Sequence, residues 1–171
     1  MVSAHVRDNG SSRKEVRLTA RDFFDRVRSA SQDAERCRSQ LVALEQRALS
    51  LGGGGFEPRT RSTPDPHRME RRVDAYVDRE AALRDRQQED YDLIDAACMV
   101  LYGSDERRGI DKVVSPAWAD ILWWRYCGCA TWDTISTAVS YSVRQCQILH
   151  DSALHWIDEN SFASDILRET V

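Results

Sequence analysis

Five side chains near the C-terminal end are of types that bind transition metals: Cys127, Cys129, Cys146, His150 and His155. A structural zinc site usually combines two close ligand pairs, with roughly two to four residues between cysteines and three to five between histidines. The two histidines fit such a spacing, but Cys127 and Cys129 are too close together, and Cys146 occupies a position expected to face inward. The pattern therefore favours buried thiols, with the histidines on a helix flank, over zinc. No metal or other cofactor is predicted.

The same region offers two pairs that resemble a nucleophile and its base: Cys146 with His150, and His150 with Asp151. Nucleophilic catalysis needs the base beside the nucleophile and usually a third group that orients the base. The sequence supplies no strand–turn elbow, no oxyanion motif and no third group. The glycine run 52–55 also lacks the Lys-Ser/Thr that follows a phosphate-binding loop. We therefore predict a protein that is not an enzyme.

These residues lie on three short helices predicted between residues 115 and 157. Ser115 and the proline after it are typical of a helix start. Cys-Gly-Cys ends the first helix, with Gly128 expected in the left-handed conformation. Thr131 can cap the second helix and Ser142 the third, because a hydroxyl at this position accepts a hydrogen bond from a free backbone N–H. The third helix has an apolar stripe at Cys146, Leu149, Ala153, Leu154 and Ile157. Two short helices joined by a tight turn are the pattern of a helix-turn-helix.

The segment TWDTISTAVSYSVRQCQILHDSALHWI, residues 131–157, resembles region 4 of sigma-70-type factors. In that region the second helix follows a small cap and runs to an Ala-Leu pair, here Ala153-Leu154. The chain is also similar, over most of its length, to a poorly characterised family of prophage proteins with a sigma-region-4-like C-terminus. The shared features are a long N-terminal helical hairpin, a Tyr-Gly link at Tyr102-Gly103, the helix-turn-helix, and an Ala-Leu-x-x-Ile-Asp ending at residues 153–158. The resemblance implies a DNA-binding regulator of phage or mobile-element genes.

The N-terminal part of a recognition helix reads base edges in the major groove. With Cys146 and Leu149 facing inward, the neighbouring positions on the third helix are left for DNA. The resemblance to sigma region 4 assigns base and backbone contacts to the cap and the first turn, at Ser142, Arg144 and Gln145. The predicted DNA-binding residues are Thr131, Ser142, Val143, Arg144, Gln145, Gln147 and Ile148.

The charge of the chain argues against tight DNA binding by this module alone. The 171 residues carry a net charge of −4, and residues 115–171 hold three basic against seven acidic side chains. DNA affinity depends largely on neutralisation of phosphates by Lys and Arg. No apolar run approaches the roughly 20 residues that span a bilayer, and the N-terminal sequence has no secretory signal. We predict a cytoplasmic protein with reduced cysteines.

Apolar residues from Phe23 to Leu51 recur at alternating spacings of four and three, which is a heptad seam. A second long helix is predicted from about Pro66 to Tyr102. Its apolar stripe shifts register between Leu83 and Tyr91, which predicts a stutter that locally unwinds the supercoil. The glycine run and three prolines lie between the two helices. The sequence therefore predicts an antiparallel hairpin closed by a disordered loop at about residues 52–66.

The predicted fold is all-α: a long antiparallel helical hairpin, or coiled coil, followed by a small sigma-region-4-like helix-turn-helix module. The predicted divisions are a flexible tail at 1–17, the hairpin at 18–102, a linker at 103–114 and the DNA-binding module at 115–171. The predicted function is that of a sequence-specific transcription regulator that binds double-stranded DNA as a homodimer, with RNA polymerase as a further candidate partner. Two alternatives stay open. One is a phage small terminase subunit, and the other is a protein-interaction module whose helix-turn-helix has lost DNA binding.

Overall fold

The computed structural model describes residues 19–53 and 67–162, which form helices joined by short connections. The α-helices are α1 (Ala20–Gly53), α2 (Arg68–Tyr102), α3 (Ile110–Val113), α4 (Pro116–Leu122), α5 (Trp132–Val139) and α6 (Val143–Glu159). A π-helical segment, Trp123–Cys127, continues α4. The described residues contain no β-strand, so the all-α prediction is confirmed for them. None of their helices is long and apolar enough to cross a membrane.

The predicted tail at residues 1–17 and residues 54–66 of the predicted loop lie outside the described residues. The start of that loop is placed differently from the prediction. Residues 52 and 53 still belong to α1, so the helix continues into the glycine run before it ends. The last residues of the chain, 163–171, also lie outside the described part.

Helices α1 and α2 pack side by side in opposite directions. The guanidinium of Arg86 on α2 lies 3.1 Å from the carboxylate of Asp33 on α1, and the start of α1 shares a core with the end of α2. The seam on α1 is buried from Phe23 to Cys37, as the heptad spacing predicts. Beyond Cys37 the described seam residues are half-buried or exposed. Full burial of the seam is therefore confined to the N-terminal half of α1.

The register shift predicted in α2 is wrong. Inward positions continue from Leu83 at unbroken heptad spacing, whereas Tyr91, which was expected to resume the stripe, is 43% exposed. Two of these inward positions hold the polar residues Gln87 and Asp90. The amide Nε2 of Gln87 donates a hydrogen bond to the carbonyl oxygen of Ala34 across the seam, at 3.5 Å. A pattern based on apolar residues alone could not recognise a seam that polar side chains also occupy.

One main hydrophobic core joins α1 and α2 to the C-terminal helices. Phe23 and Phe24 of α1 are fully buried in it. The centre of the Phe24 ring lies 5.2 Å from the centre of the Tyr126 ring in the π-helical segment. At the edge of this core, the carboxylate of Asp158 on α6 accepts a hydrogen bond from the backbone N–H of Ala20, at 2.7 Å. This contact satisfies one of the free N–H groups in the first turn of α1. The C-terminal helices are therefore packed onto the base of the α1–α2 pair.

The connection between α2 and α4 contributes to the same core. Gly103 has φ +79° and ψ −167°, and a Cβ at this position would lie 2.1 Å from the carbonyl oxygen of Arg107. Only glycine adopts this combination of φ and ψ without strain. Ile110 on α3 is fully buried against the other helices. The segment that was predicted as a polar linker, residues 103–114, is thus a folded part of the structure.

The break between the π-helical segment and α5 is made by a residue next to the predicted one. Gly128 has φ −82°, so its expected left-handed conformation is wrong. Cys129 has φ +50° instead. The thiol of Cys129 lies 3.7 Å from the carbonyl oxygens of both Arg28 and Tyr126. The contact with Arg28 ties the turn to α1.

Candidate nucleic-acid interface

Helices α5 and α6 are joined by a tight turn that begins with Ser140, whose φ is +58°. The hydroxyl of Thr131 accepts a hydrogen bond from the backbone N–H of Thr134, at 3.3 Å, and so caps α5. The hydroxyl of Ser142 accepts one from the N–H of Gln145, at 3.2 Å, and caps α6. Both caps were predicted from the sequence and are confirmed. They place the first turn of α6 directly after the reversal of the chain.

A small second core holds α5 against α6. Ile121 of α4, Ile135 of α5 and Cys146 of α6 are fully buried together, and Leu149 packs against them. Burial raises the pKa of the Cys146 thiol, so this side chain stays protonated and acts as a small apolar group. Cys146 and Leu149 face inward, as predicted. The opposite side of α6 is left facing the solvent.

Six of the seven residues predicted to contact DNA come together at the start of α6. Ser142, Arg144, Gln145, Gln147 and Ile148 are exposed, and Val143 is half-buried. The seventh, Thr131, is also exposed but lies at the start of α5, where its hydroxyl is used as the cap. The structure therefore assembles one continuous candidate surface on α6 and leaves Thr131 on the preceding helix.

Arg144 is the distinctive residue of this surface. It lies in the first turn of α6 and makes no ion pair or side-chain hydrogen bond with any other residue in the part of the chain that the structure describes. Ile148 lies one turn further along the same face and is 56% exposed. A cationic fork and an apolar side chain one turn apart offer both a hydrogen-bond donor and an apolar contact to a partner. These are the two kinds of contact that proteins make with base edges in the major groove.

A cavity of about 260 Å³ lies beside Gln147, between α6, α1 and the π-helical segment. Three arginines line it: Arg21 and Arg28 from α1, and Arg125 from the π-helical segment. Since Arg21 and Arg28 are seven residues apart, they lie two turns apart on one face of α1. The other lining residues are Asp25, Tyr126, Trp132, Gln147, His150 and Asp151. The folded chain thus brings two arginines of α1 next to a helix whose own module is acidic.

His150 forms the buried wall of this cavity, and its predicted place on an exposed helix flank is wrong, because it is only 4% exposed. Its Nε2 lies 2.9 Å from the hydroxyl of Tyr126, and its Nδ1 lies 2.9 Å from the carboxylate of Asp151. Burial raises the pKa of Tyr126 to about 12, so the phenol stays protonated and its O–H donates a hydrogen bond to Nε2. Burial also lowers the pKa of His150, so the imidazole is neutral and its Nδ1–H donates to Asp151.

The carboxylate of Asp151 is shared between α6 and α1. It accepts from His150 and also lies 2.9 Å from the guanidinium of Arg21. Both nitrogens of His150 are therefore engaged, by Tyr126 and by Asp151, and neither is paired with Cys146. The geometry indicates that this network positions α1 beside α6. The candidate nucleophile–base pair of Cys146 and His150 is not formed.

The five side chains of metal-binding type are dispersed by the fold. Cys146 lies in the small second core, while Cys127 packs against the main core. His155 is on the surface, 3.0 Å from the carboxylate of Glu159. Within the described residues, no group of three or more His, Cys, Asp or Glu side chains is arranged to hold a metal ion.

Three arginines of the cavity, Arg21, Arg28 and Arg125, were not predicted as site residues from the sequence. The shared helix face of Arg21 and Arg28 can be derived from their spacing of seven. However, these two residues lie between 97 and 126 positions before Arg125 and Gln147 in the sequence. Nothing local indicates which helix that face will meet. Only the packing of α1 against α6 brings the charges together.

Comparisons of this chain with protein-family models, with curated proteins and with solved structures found no match. The resemblance to sigma region 4 rests on residues 131–157 of the sequence and stays a prediction. Function is therefore inferred from the exposed face of α6 and from its surroundings.

Proposed function

We propose that this protein is a sequence-specific DNA-binding transcription regulator, in which α5 and α6 form a sigma-region-4-like helix-turn-helix and α6 is the recognition helix. The observation that carries the proposal is Arg144, which is exposed and unpaired among the described residues in the first turn of α6. The guanidinium fork of an arginine in this position can donate two hydrogen bonds to O6 and N7 of guanine. The proposed phage or mobile-element origin is supported by the sequence resemblance alone.

The neighbours of Arg144 are of types that read other bases. Gln145 and Gln147 are exposed amides, and an amide can pair with N6 and N7 of adenine. Ile148 offers an exposed apolar group to a thymine methyl. Ser142 and Val143, at the start of the helix, are assigned contacts with the DNA backbone in this proposal. This set of side chains supports readout of a short sequence by one helix.

Homodimer formation is part of the proposal, since Arg144 is the only basic residue of α6 and two linked modules gain affinity through effective concentration. Its support is a set of exposed apolar residues on the parts of α1 and α2 far from the main core: Val42, Leu49, Val73 and Val77. A second copy that packed on these segments would cover them. The paired DNA site would then have half-sites about 10 base pairs apart, or a multiple of that.

Sedimentation of the full chain at micromolar concentration, with and without DNA, tests the dimer. Leu49 is 79% exposed, so Leu49→Asp should dissociate the dimer without unfolding the monomer. Gln46→Asp, at an exposed polar position of the same helix, is the control and should leave the dimer intact. Sedimentation as a monomer under every condition would contradict this part of the proposal.

Selection of bound sequences from a pool of random DNA at low salt tests the function itself. We expect a short motif to be enriched and to bind more tightly than unrelated DNA by about a thousandfold or more at moderate salt. Low salt is needed because few phosphate contacts are available and each one weakens with added salt. A pool that stays random after repeated selection would reject sequence-specific binding.

One rival function has specific support. The net charge of −4 in residues 115–171 and the exposed Ile148 also suit a protein-interaction module, with RNA polymerase as the candidate partner. Under this alternative, Ile148→Asp would abolish co-sedimentation with RNA polymerase, and no DNA motif would be selected. The selection experiment therefore separates the two functions, because a DNA motif is enriched under the first and none under the second.

A further inference from the structure

We propose that the cavity between α1, the π-helical segment and α6 is a phosphate-binding site, in which Arg28 and Arg125 hold the phosphate oxygens. The phosphate can belong to a DNA backbone or to a small phosphorylated molecule. The first source rests on the proposed DNA-binding function, whereas the second does not. Both share the same chemistry, a tetrahedral anion held by two guanidinium groups.

The arginines of the cavity are not equally available. Arg21 is paired with Asp151, at 2.9 Å. The guanidinium of Arg125 lies over the ring of Trp132, 4.8 Å from its centre, and donates to the carbonyl oxygen of Ala130 at 3.3 Å. Within the part of the chain that the structure describes, neither Arg28 nor Arg125 forms an ion pair with a carboxylate.

Arg28 and Arg125 also lie close enough to affect each other. Burial lowers the pKa of Arg125, and the positive charge of Arg28 adds to this effect. Two cations that face one cavity repel each other, and an anion between them would turn that repulsion into attraction. Asp25 lines the same cavity but is not ion-paired with either arginine. The negative charge of Asp25 also acts on Arg125, so three arginines against Asp25 and Asp151 leave the lining with one net positive charge.

The shape of the site favours phosphate over a carboxylate. A guanidinium fork fits both anions, but Arg28 and Arg125 line the cavity from two different elements, α1 and the π-helical segment. A tetrahedral anion presents oxygens in several directions and can accept from both. A cavity of about 260 Å³ has room for a phosphate group and several waters of about 30 Å³ each. The amide of Gln147 adds a neutral donor on the α6 side.

The position of Gln147 links the cavity to the exposed face of α6. It lies three residues after Arg144, one turn along the helix, and lines the cavity itself. A strand of DNA that passed beside α6 would therefore bring a phosphate to this cavity. This geometry makes the backbone of bound DNA the first source to test.

Isothermal titration calorimetry of the full chain with inorganic phosphate, at constant ionic strength, tests the site without DNA. We expect saturable binding that weakens by about tenfold or more in Arg28→Gln, because one charge-assisted contact is lost. Arg28→Gln should keep the fold, since the guanidinium has no partner among the described residues. Arg38→Gln removes the same charge from an exposed position of α1 that pairs with Glu35, and should bind phosphate like the wild type.

The salt dependence of DNA binding is measured on the same three proteins. If the cavity takes a backbone phosphate, the slope of log affinity against log salt should become less steep by about one in Arg28→Gln and stay unchanged in Arg38→Gln. Loss of phosphate binding alone would identify a small phosphorylated molecule as the ligand. This result would support the phosphate-binding site even if the wild type bound no DNA and the proposed function were rejected. An Arg28→Gln protein that matched the wild type and Arg38→Gln in both measurements would overturn the proposal.

Discussion

Replacement of Arg144 by alanine is the most direct test of the proposed recognition helix. A surface arginine often pairs with a nearby carboxylate, and such a pair contributes little to stability. Among the described residues Arg144 has no such partner, because its side chain is exposed and forms no ion pair with them. Its position in the first turn of α6 is where a recognition helix contacts base edges. The substitution should therefore affect binding and leave the fold intact.

The expected magnitude follows from the contact that Arg144 can make. A bidentate pair with guanine contributes about 1–3 kcal/mol of discrimination, so Arg144→Ala should weaken binding to the selected site by about 5- to 150-fold. The free energy of unfolding should change by no more than about 0.5 kcal/mol, as for other surface positions without structural contacts. The loss of affinity should be concentrated at one base pair. A variant of the DNA site at that base pair should bind both proteins equally.

Fluorescence anisotropy with the selected site and its single-base variants, at one fixed salt concentration, measures these differences. Arg38→Ala is the control, because it removes the same charge from an exposed position on α1. If Arg144 contacted only phosphate, all DNA sequences would lose affinity alike and the salt slope would fall by about one. Unchanged affinity in a folded Arg144→Ala protein would refute the assignment and favour the protein-interaction function.

Three further predictions concern the framework that positions α6. Asp158→Ala removes the carboxylate that caps the first turn of α1 and should lower the free energy of unfolding by about 1–2 kcal/mol in urea denaturation. Gly103→Ala places a Cβ 2.1 Å from a backbone oxygen at φ +79°, and should cost about 2 kcal/mol or more in the same assay. Because burial lowers the pKa of His150, the unfolded chain binds the proton more tightly. Stability should therefore fall as pH drops below about 6.5, and His150→Gln should remove this part of the pH dependence.

Two of these substitutions have a matched control variant. Glu159→Ala, next to Asp158 but without the contact to α1, should leave stability nearly unchanged. His155→Gln should retain the acid-induced loss of stability, because its ring is exposed. Equal stability of Asp158→Ala and Glu159→Ala would contradict the cap. A Gly103→Ala protein as stable as the wild type would show that the connection can relax. Stability that fell identically with pH in both histidine variants would contradict the burial argument.

The sequence by itself determined much of the local structure of this protein, although it gave the wrong conformation for Gly128 and the wrong register for α2. The hydroxyls of Thr131 and Ser142 cap the helices that they precede, as their types predict, because a cap depends on residues only a few positions away. The heptad spacing that begins at Phe23 likewise predicted the buried face of α1, since a helix repeats its faces every few residues. The same local reasoning placed Cys146 inward and Arg144 outward.

Only the tertiary structure decided how these elements meet. Gln87 takes an inward position in α2 where the opposite helix offers the carbonyl of Ala34, and no property of α2 alone indicates that contact. The cavity beside α6 exists because α1 folds back against that helix and brings Arg28 to Arg125. The net charge summed along the sequence is negative for the C-terminal region, residues 115–171. Charge in space depends on contacts between residues far apart in sequence, so the positive cavity became visible only in the folded chain.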